Sequence, residues 1–178
     1  MCGIVGFLDT AAALNRTDRI KIIERMTLTL HHRGPDSTGT WIDPDSAIAL
    51  GHRRLAILDL STAGHQPMVS HSGRCVLSFN GEIYNHDEIR QVLEVGGHEI
   101  AWRGSSDTEV MLEAIDRLGI EQALPMLNGM FAFALWNKKS RTLTLARDRM
   151  GEKPLYHGWA GSSFLFGSEL KALRAHPA

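Results

Sequence analysis

Cysteine is scarce in this sequence of 178 residues: Cys2 and Cys75 are the only two. Two thiols cannot build a disulfide framework, and they lack the clustered spacing of a zinc site, which points to a reducing compartment, the cytoplasm. Charge of one sign is missing as well. Nineteen Lys and Arg stand against 20 Asp and Glu, for a net charge of −1, so neither a nucleic acid nor an anionic membrane is the partner that the charge calls for. No apolar run approaches the ~18 residues of a membrane span, and the first residues lack the basic-then-apolar pattern of a secretory signal. What is present is ordinary: 43% hydrophobic and 22% charged residues, without repeats or low-complexity tracts. The length suits a single self-sufficient domain over 1–178.

Short apolar runs punctuated by glycine predict strands at 3–8, 46–58, 75–80, 130–136, 142–147, 155–159 and 164–166. The polar spacer from Asn137 to Arg141 is long enough for a hairpin and too short for a parallel crossover. Helical spacing follows Thr17, read as an N-cap, through Ile20, Ile23, Met26 and Leu30. It recurs after Asn85 at Ile89, Val92 and Leu93, with Glu88 placed for a capping box and Gly96-Gly97 as the stop. A third helix begins at Ser106-x-x-Glu109 and stops at Gly119; a short fourth covers 169–174. Antiparallel strands with segregated helices give an α+β class, sheet packed on sheet with helices outside.

Chemistry is written most plainly at the start. If Met1 is trimmed, Cys2 carries both a thiol and a free α-amine, a nucleophile with its base attached. An α-amine has a pKa of about 7.7–8.0, so a useful fraction is neutral at pH 7, unlike a lysine near ~10.4. The apolar run from Gly3 to Phe7 would bury that terminus in a sheet. Asn80-Gly81, closing the 75–80 run, reads either as a turn or as an oxyanion hole built from the Asn80 amide and the Gly81 N–H. In His52-Arg53-Arg54-Leu55 two adjacent guanidiniums must point to opposite strand faces, and an inward one could fork a carboxylate. Asp107 is explained as a helix-start residue, yet beside Glu82 in a pocket the two acids would suit an ammonium group. His31 to Asp36 and Asp148 to Tyr156 read as polar turns without metal-ligand spacing.

Taken together, MCGIVGF, HHRGPDSTG, GHRRLAILDLS with GHQPM, FNGEIYNHDEIR, GSSDTEV, LNGMFAFALW and LARDRMGEKPLYHGW resemble the glutaminase domain of class II glutamine amidotransferases, in the asparagine synthetase branch, from Met1 to about Pro177. The resemblance implies the N-terminal-nucleophile hydrolase fold, a four-layer αββα sandwich of two antiparallel sheets. It implies that Cys2, freed of Met1, attacks the side-chain amide of glutamine, releasing ammonia and leaving a thioester that water cleaves to glutamate. Asn80 and Gly81 would hold the oxyanion, Arg54 the substrate carboxylate, Glu82 and Asp107 its ammonium, with a backbone contact from Ile57. The loop from Arg33 to Asp36 would help shape the pocket, while GMFAFALW and LARDRMGEKPLYHGW would supply core strands and a turn rather than catalysis.

In that branch a synthetase domain with a Gly-rich pyrophosphate loop follows, adenylates aspartate and receives the ammonia. This sequence stops where such a domain would begin, and Gly104-Ser105-Ser106-Asp107 has too few glycines to cradle a phosphate. The expectation is therefore a glutaminase half with no cofactor or metal of its own, ATP and Mg²⁺ belonging to the absent domain, in a longer parent chain or a separate subunit. The acceptor, aspartate or another carboxylate, stays open. The alternative is a catalytically silent binding or regulatory module. A retained Met1 would favour it, because it converts the base into an amide.

Overall fold

The computed structural model describes residues 1–56, 61–97 and 99–178. In chain order its strands are β1 (Gly3–Asp9), β2 (Ser37–Ile42), β3 (Ile48–Arg54), β4 (Met68–Val69), β5 (Cys75–Ile83), β6 (Gly129–Asn137), β7 (Thr142–Arg147), β8 (Tyr156–Ala160) and β9 (Ser163–Gly167). The helices are α1 (Arg16–Leu28), α2 (His86–Val95), α3 (Asp107–Leu118), α4 (Ile120–Met126) and α5 (Leu170–Arg174). Two antiparallel sheets result, one ordered β2-β3-β1-β9-β8 and the other β4-β5-β6-β7.

Side chains alternate across each strand, and that alternation sorts the core into three layers. On β1 and β3, Val5, Phe7 and Ala49 pack against Ile22, Ile23 and Met26 of α1. The opposite face of β3 sends Ile48 and Leu50 between the sheets, where they meet Val76, Ala134, Trp136 and Phe166. On the far side of the second sheet, Leu77, Phe79, Phe133 and Leu135 pack on Val110, Met111 and Ala114 of α3, with α2 and α4 alongside. Helix, sheet, sheet, helix is the αββα order, and the α+β reading holds.

Several boundaries differ from the sequence reading, each for a local reason. The strand expected at 46–58 ends at Arg54. The run expected to close at Asn80 continues to Ile83, because Gly81 and Glu82 pair with Phe131 and Met130 of β6. Helix α1 is capped by Asn15, whose side chain accepts from Asp18 N, so Thr17 lies inside the first turn. The capping box at α2 does not form: the Asn85 amide is taken by Asn128 N and Met126 O instead. Strands β2 and β4 and helix α4 were not anticipated.

Candidate active site

Antiparallel pairing brings four strand ends to one edge of the sandwich. The start of β1 lies beside the end of β3, Gly3 opposite Arg53, and the end of β5 beside the start of β6, Glu82 opposite Met130. Just beneath, two hydrogen bonds span the sheets: Ser78 Oγ donates to Gly51 O at 3.1 Å, and His52 Nε2 to Phe79 O at 2.9 Å. Burial pushes the His52 pKa down to about 3, so the ring is neutral. Above these bonds opens a pocket of about 150 Å³, lined by Cys2, Arg54, Asn80, Gly81, Glu82 and Asp107 together with Gln66 and Lys153. That volume lies below the ~300 Å³ at which drug-sized sites begin and suits a single small molecule.

Cys2 sits immediately before β1. Leu55 N donates to its Sγ at 3.4 Å, and Leu55 O lies 3.5 Å away. Arg33, in the turn after α1, donates Nε to Cys2 O at 2.9 Å and Nη1 to Glu169 Oε1 at 3.0 Å. Although burial would raise it, bonds from Arg33, His32 and Lys171 hold the Glu169 carboxyl down at about 2. Ser168 clamps the same strand end, accepting from Ile4 N through Oγ at 3.0 Å and donating its own N–H to Ile4 O at 2.8 Å. Burial pushes the Cys2 thiol up, and the Leu55 bond, the terminal ammonium, Arg54 and Arg33 do not overcome it. A thiol held protonated needs a base before it can attack.

The donors face it from β5. N–H groups alternate between the two edges of a strand, so Phe79, Gly81 and Ile83 share the edge away from β6. Phe79 N donates to Gln66 Oε1 at 2.6 Å and Ile83 N to Asp107 Oδ2 at 2.8 Å. Gly81 lies between them, and β4 reaches only Val76 and Leu77 on that edge, which leaves the Gly81 N–H without an acceptor among the described residues. A Cβ at Gly81 would collide with Met130 O and the Phe131 backbone, so the tight pairing at this point requires glycine. Asn80 points between the sheets, 1% exposed, and its Nδ2 has no hydrogen-bond partner among the described residues. A side-chain amide and a backbone N–H, both short of an acceptor on a rigid strand, form a preorganised cradle for negative charge.

Charge is placed around this centre. Arg53 and Arg54 do point to opposite faces: Arg53 donates Nε to Gly34 O at 2.8 Å and bonds His31, while Arg54 lines the pocket and donates Nη1 to Ser61 O at 2.9 Å. Asp107 opens α3 behind its cap Ser106, whose side chain accepts from Glu109 N. Burial pushes the Asp107 carboxyl up, against bonds from Ile83 and Thr108. Glu82 is half-buried on the same wall. Six of the seven expected site residues thus meet in one pocket; Ile57 lies outside the described residues.

Three residues were given no role in the site from sequence. Gln66 seals the edge of β5. Glu169 fixes Arg33, and with it the Cys2 backbone. Lys153 enters from the turn read as merely structural: Asp148 accepts from Phe131 N, Met150 N, Glu152 N and Lys153 N, folding that turn back onto β6. None of the loop residues from Arg33 to Asp36 lines the pocket; the loop acts on it only through neighbours, Arg33 holding Cys2 O and Asp36 Oδ2 accepting from Ala56 N at 2.9 Å.

Comparison with known proteins bears on the family and the fold. The family model described as glutamine amidotransferase domain matches residues 1–178. Asparagine synthetase [glutamine-hydrolyzing] 3 of Bacillus subtilis (strain 168) is 42% identical over 179 residues, covering 99% of this chain and 28% of the relative. Asparagine synthetase [glutamine-hydrolyzing] of Zea mays is 40% identical, covering 97% of this chain and again 28% of the relative. The chain therefore spans little more than a quarter of the length of these relatives. Among solved structures, glutamine phosphoribosylpyrophosphate amidotransferase from B. subtilis, complexed with ADP and GMP, superposes with a TM-score of 0.75 at 24% identity, covering 98% of this chain and 43% of that one. It matches the fold.

Proposed function

This chain belongs to the glutamine amidotransferase domain family, and we propose that it hydrolyses glutamine to glutamate and ammonia through a thioester on Cys2. The observation that carries the reading is the juxtaposition of the Cys2 thiol with two donors that lack an acceptor among the described residues, Asn80 Nδ2 and Gly81 N–H, in one small pocket. After removal of Met1, the Cys2 α-amine takes the thiol proton, directly or through one water, and sulfur adds to the side-chain amide carbon. Asn80 and Gly81 hold the oxyanion. The carbon–nitrogen bond then breaks, the leaving nitrogen takes the proton back from the α-ammonium, and ammonia departs. Water cleaves the thioester with the same amine as base, releasing glutamate and restoring the thiol.

Arg54 binds the glutamine carboxylate and the Glu82 and Asp107 pair its ammonium. The relatives, more than three times as long, favour a synthetase domain as the recipient of the ammonia, with aspartate the first candidate acceptor; ATP and Mg²⁺ would be held there. Cytoplasmic location follows the same reading.

The test is glutamate release by protein whose free Cys2 terminus is verified by intact mass. Cys2→Ala abolishes release without unfolding, and an electrophilic glutamine analogue labels Cys2 and spares Cys75, whose thiol burial pushes up to about 11. Labelling chiefly at Cys75, or full activity in Cys2→Ala, would sink the assignment.

A further inference from the structure

We infer that Lys153 sets the working pH of the N-terminal base, its buried ammonium driving the Cys2 α-amine toward the neutral form. The inference rests on the glutaminase reading above. Lys153 lines the pocket with only 8% of its surface exposed. Its backbone is pinned on both sides, the N–H donating to Asp148 Oδ2 at 3.1 Å and the C=O accepting from Arg147 Nε at 2.7 Å. The ion pairs among the described residues do not include it. Its Nζ instead contacts Met1 Sδ at 3.7 Å, and the same sulfur lies 4.0 Å from Arg33 Nη2.

Removal of Met1 therefore does two things at once. It takes away the contact of the Lys153 ammonium, and it creates the α-amine five bonds from where the sulfur lay. Standard bond lengths then keep Lys153 Nζ within roughly 10 Å of that amine.

A nearby fixed positive charge disfavours further positive charge. With protons on both amine and thiol, Cys2 carries +1; with one proton shared, it is neutral overall and reactive; with none, it carries −1. Lys153 penalises the first state and favours the last, wherever the shared proton sits, so both limbs of the pH–rate profile move to lower pH. The other charges facing Cys2 are Arg33 on the α1–β2 turn, Arg54 on β3, Glu82 on β5, Asp107 on α3 and Glu169 before α5. Glu169 offsets Arg33 by direct pairing. In the proposed complex, the substrate carboxylate answers Arg54 and its ammonium answers the two acids. Lys153 keeps no counter-ion among the described residues. An amine with its ordinary pKa of about 7.7–8.0 is mostly protonated at pH 7, and lowering it by about one unit makes roughly half of it a free base.

The experiment compares wild type, Lys153→Met, Lys153→Gln and Lys153→Arg, each with a verified Cys2 terminus, by kcat/KM for glutamine from about pH 5.5 to 9.5. Both neutral variants should shift the two limbs upward by about half a unit to one unit, and Lys153→Arg should leave their positions in place whatever the height of the curve. Limbs unmoved in Met and Gln variants overturn the inference, because a merely structural defect lowers the curve without sliding it. Lys153→Gln decides if the Met variant does not fold. The pH dependence of Cys2 alkylation is measured in parallel and reads the same thiol–amine titration without substrate. A wild type that releases no glutamate sinks the glutaminase reading, and the alkylation shift still decides the role of Lys153.

Discussion

Asn80 is a polar residue in a place where polarity costs stability. Its amide NH₂ is buried without an acceptor among the described residues, and an orphaned donor costs about 1–3 kcal/mol. If its acceptor is the oxyanion, removing the side chain should harm chemistry far more than folding. Asn80→Ala is expected to lower kcat by ~10²- to 10³-fold with a smaller change in KM. Its global stability should fall by less than the ~2–5 kcal/mol of an ordinary core truncation, since the orphan disappears with the side chain. Steady-state kinetics and urea denaturation of the one variant decide; a core-sized stability loss with kcat preserved would make Asn80 structural. The sequence offered both readings of Asn80-Gly81, turn and oxyanion hole, because Asn and Gly are favoured in turns by their own backbone chemistry. Pairing with β6 overrides that local preference. The signal that favoured a continued strand was the period-two polar series Ser78, Asn80, Glu82, all on the face between the sheets.

At the scale of the element, His52 ties β3 to β5 through Phe79 O, and it does so as a neutral ring. Its pKa lies near 3 in the folded chain against an ordinary 6.5. Between those values the unfolded state binds a proton that the folded state refuses. Stability from this group is therefore complete above pH 6.5, falls by up to ~1.4 kcal/mol per unit as pH drops below it, and levels off near 3. His52→Asn keeps a donor for Phe79 O and removes the titration, so its stability should change less between pH 7 and 4. Denaturation midpoints across that range measure it, and equal pH slopes in the two proteins would refute the linkage. The main strands and α3 were legible because apolar runs, glycine stops and the Ser106 cap are local signals. Strand β2 was not: Ser37-Thr38-Gly39-Thr40 carries little apolar content and is extended by its pairing with β3. Helix α4 was hidden by its seven residues and by Pro125 inside it.

At the scale of the whole molecule, the pocket draws on both sheets, α3, the segment holding Gly64 and Gln66, and the turn before β8. Which turns would converge there could not be read from spacing, and Lys153 was assigned to scaffold for that reason. The residues themselves offered one Arg of the Arg53-Arg54 pair and the acids Glu82 and Asp107, the resemblance selected Arg54 and the roles, and the fold supplies their fixed separation from Cys2. No helix among the described residues is long and apolar enough to cross a membrane. The rigid separation has a consequence for substrate choice. Arg54 stands on β3, Asp107 on α3 and the proposed oxyanion donors on β5, so a head group held, as proposed, by the first two would present a side-chain amide at one set distance from sulfur. Asparagine, shorter by a methylene, must either leave its amide short of Cys2 or surrender its head-group contacts. N-acetylglutamine reaches the thiol but brings no ammonium to half-buried Glu82 and buried Asp107, leaving both acids unanswered. Mismatches of this kind can cost several orders of magnitude in kcat/KM, and a loss of ~10³-fold or more is expected for both analogues relative to glutamine. Asp107→Asn should raise KM for glutamine and narrow the gap to N-acetylglutamine, because the charge that the acetyl group leaves unpaired is already gone. Comparable kcat/KM for all three compounds would mean that the pocket does not read the head group, and the roles of Arg54, Glu82 and Asp107 in binding would fall together.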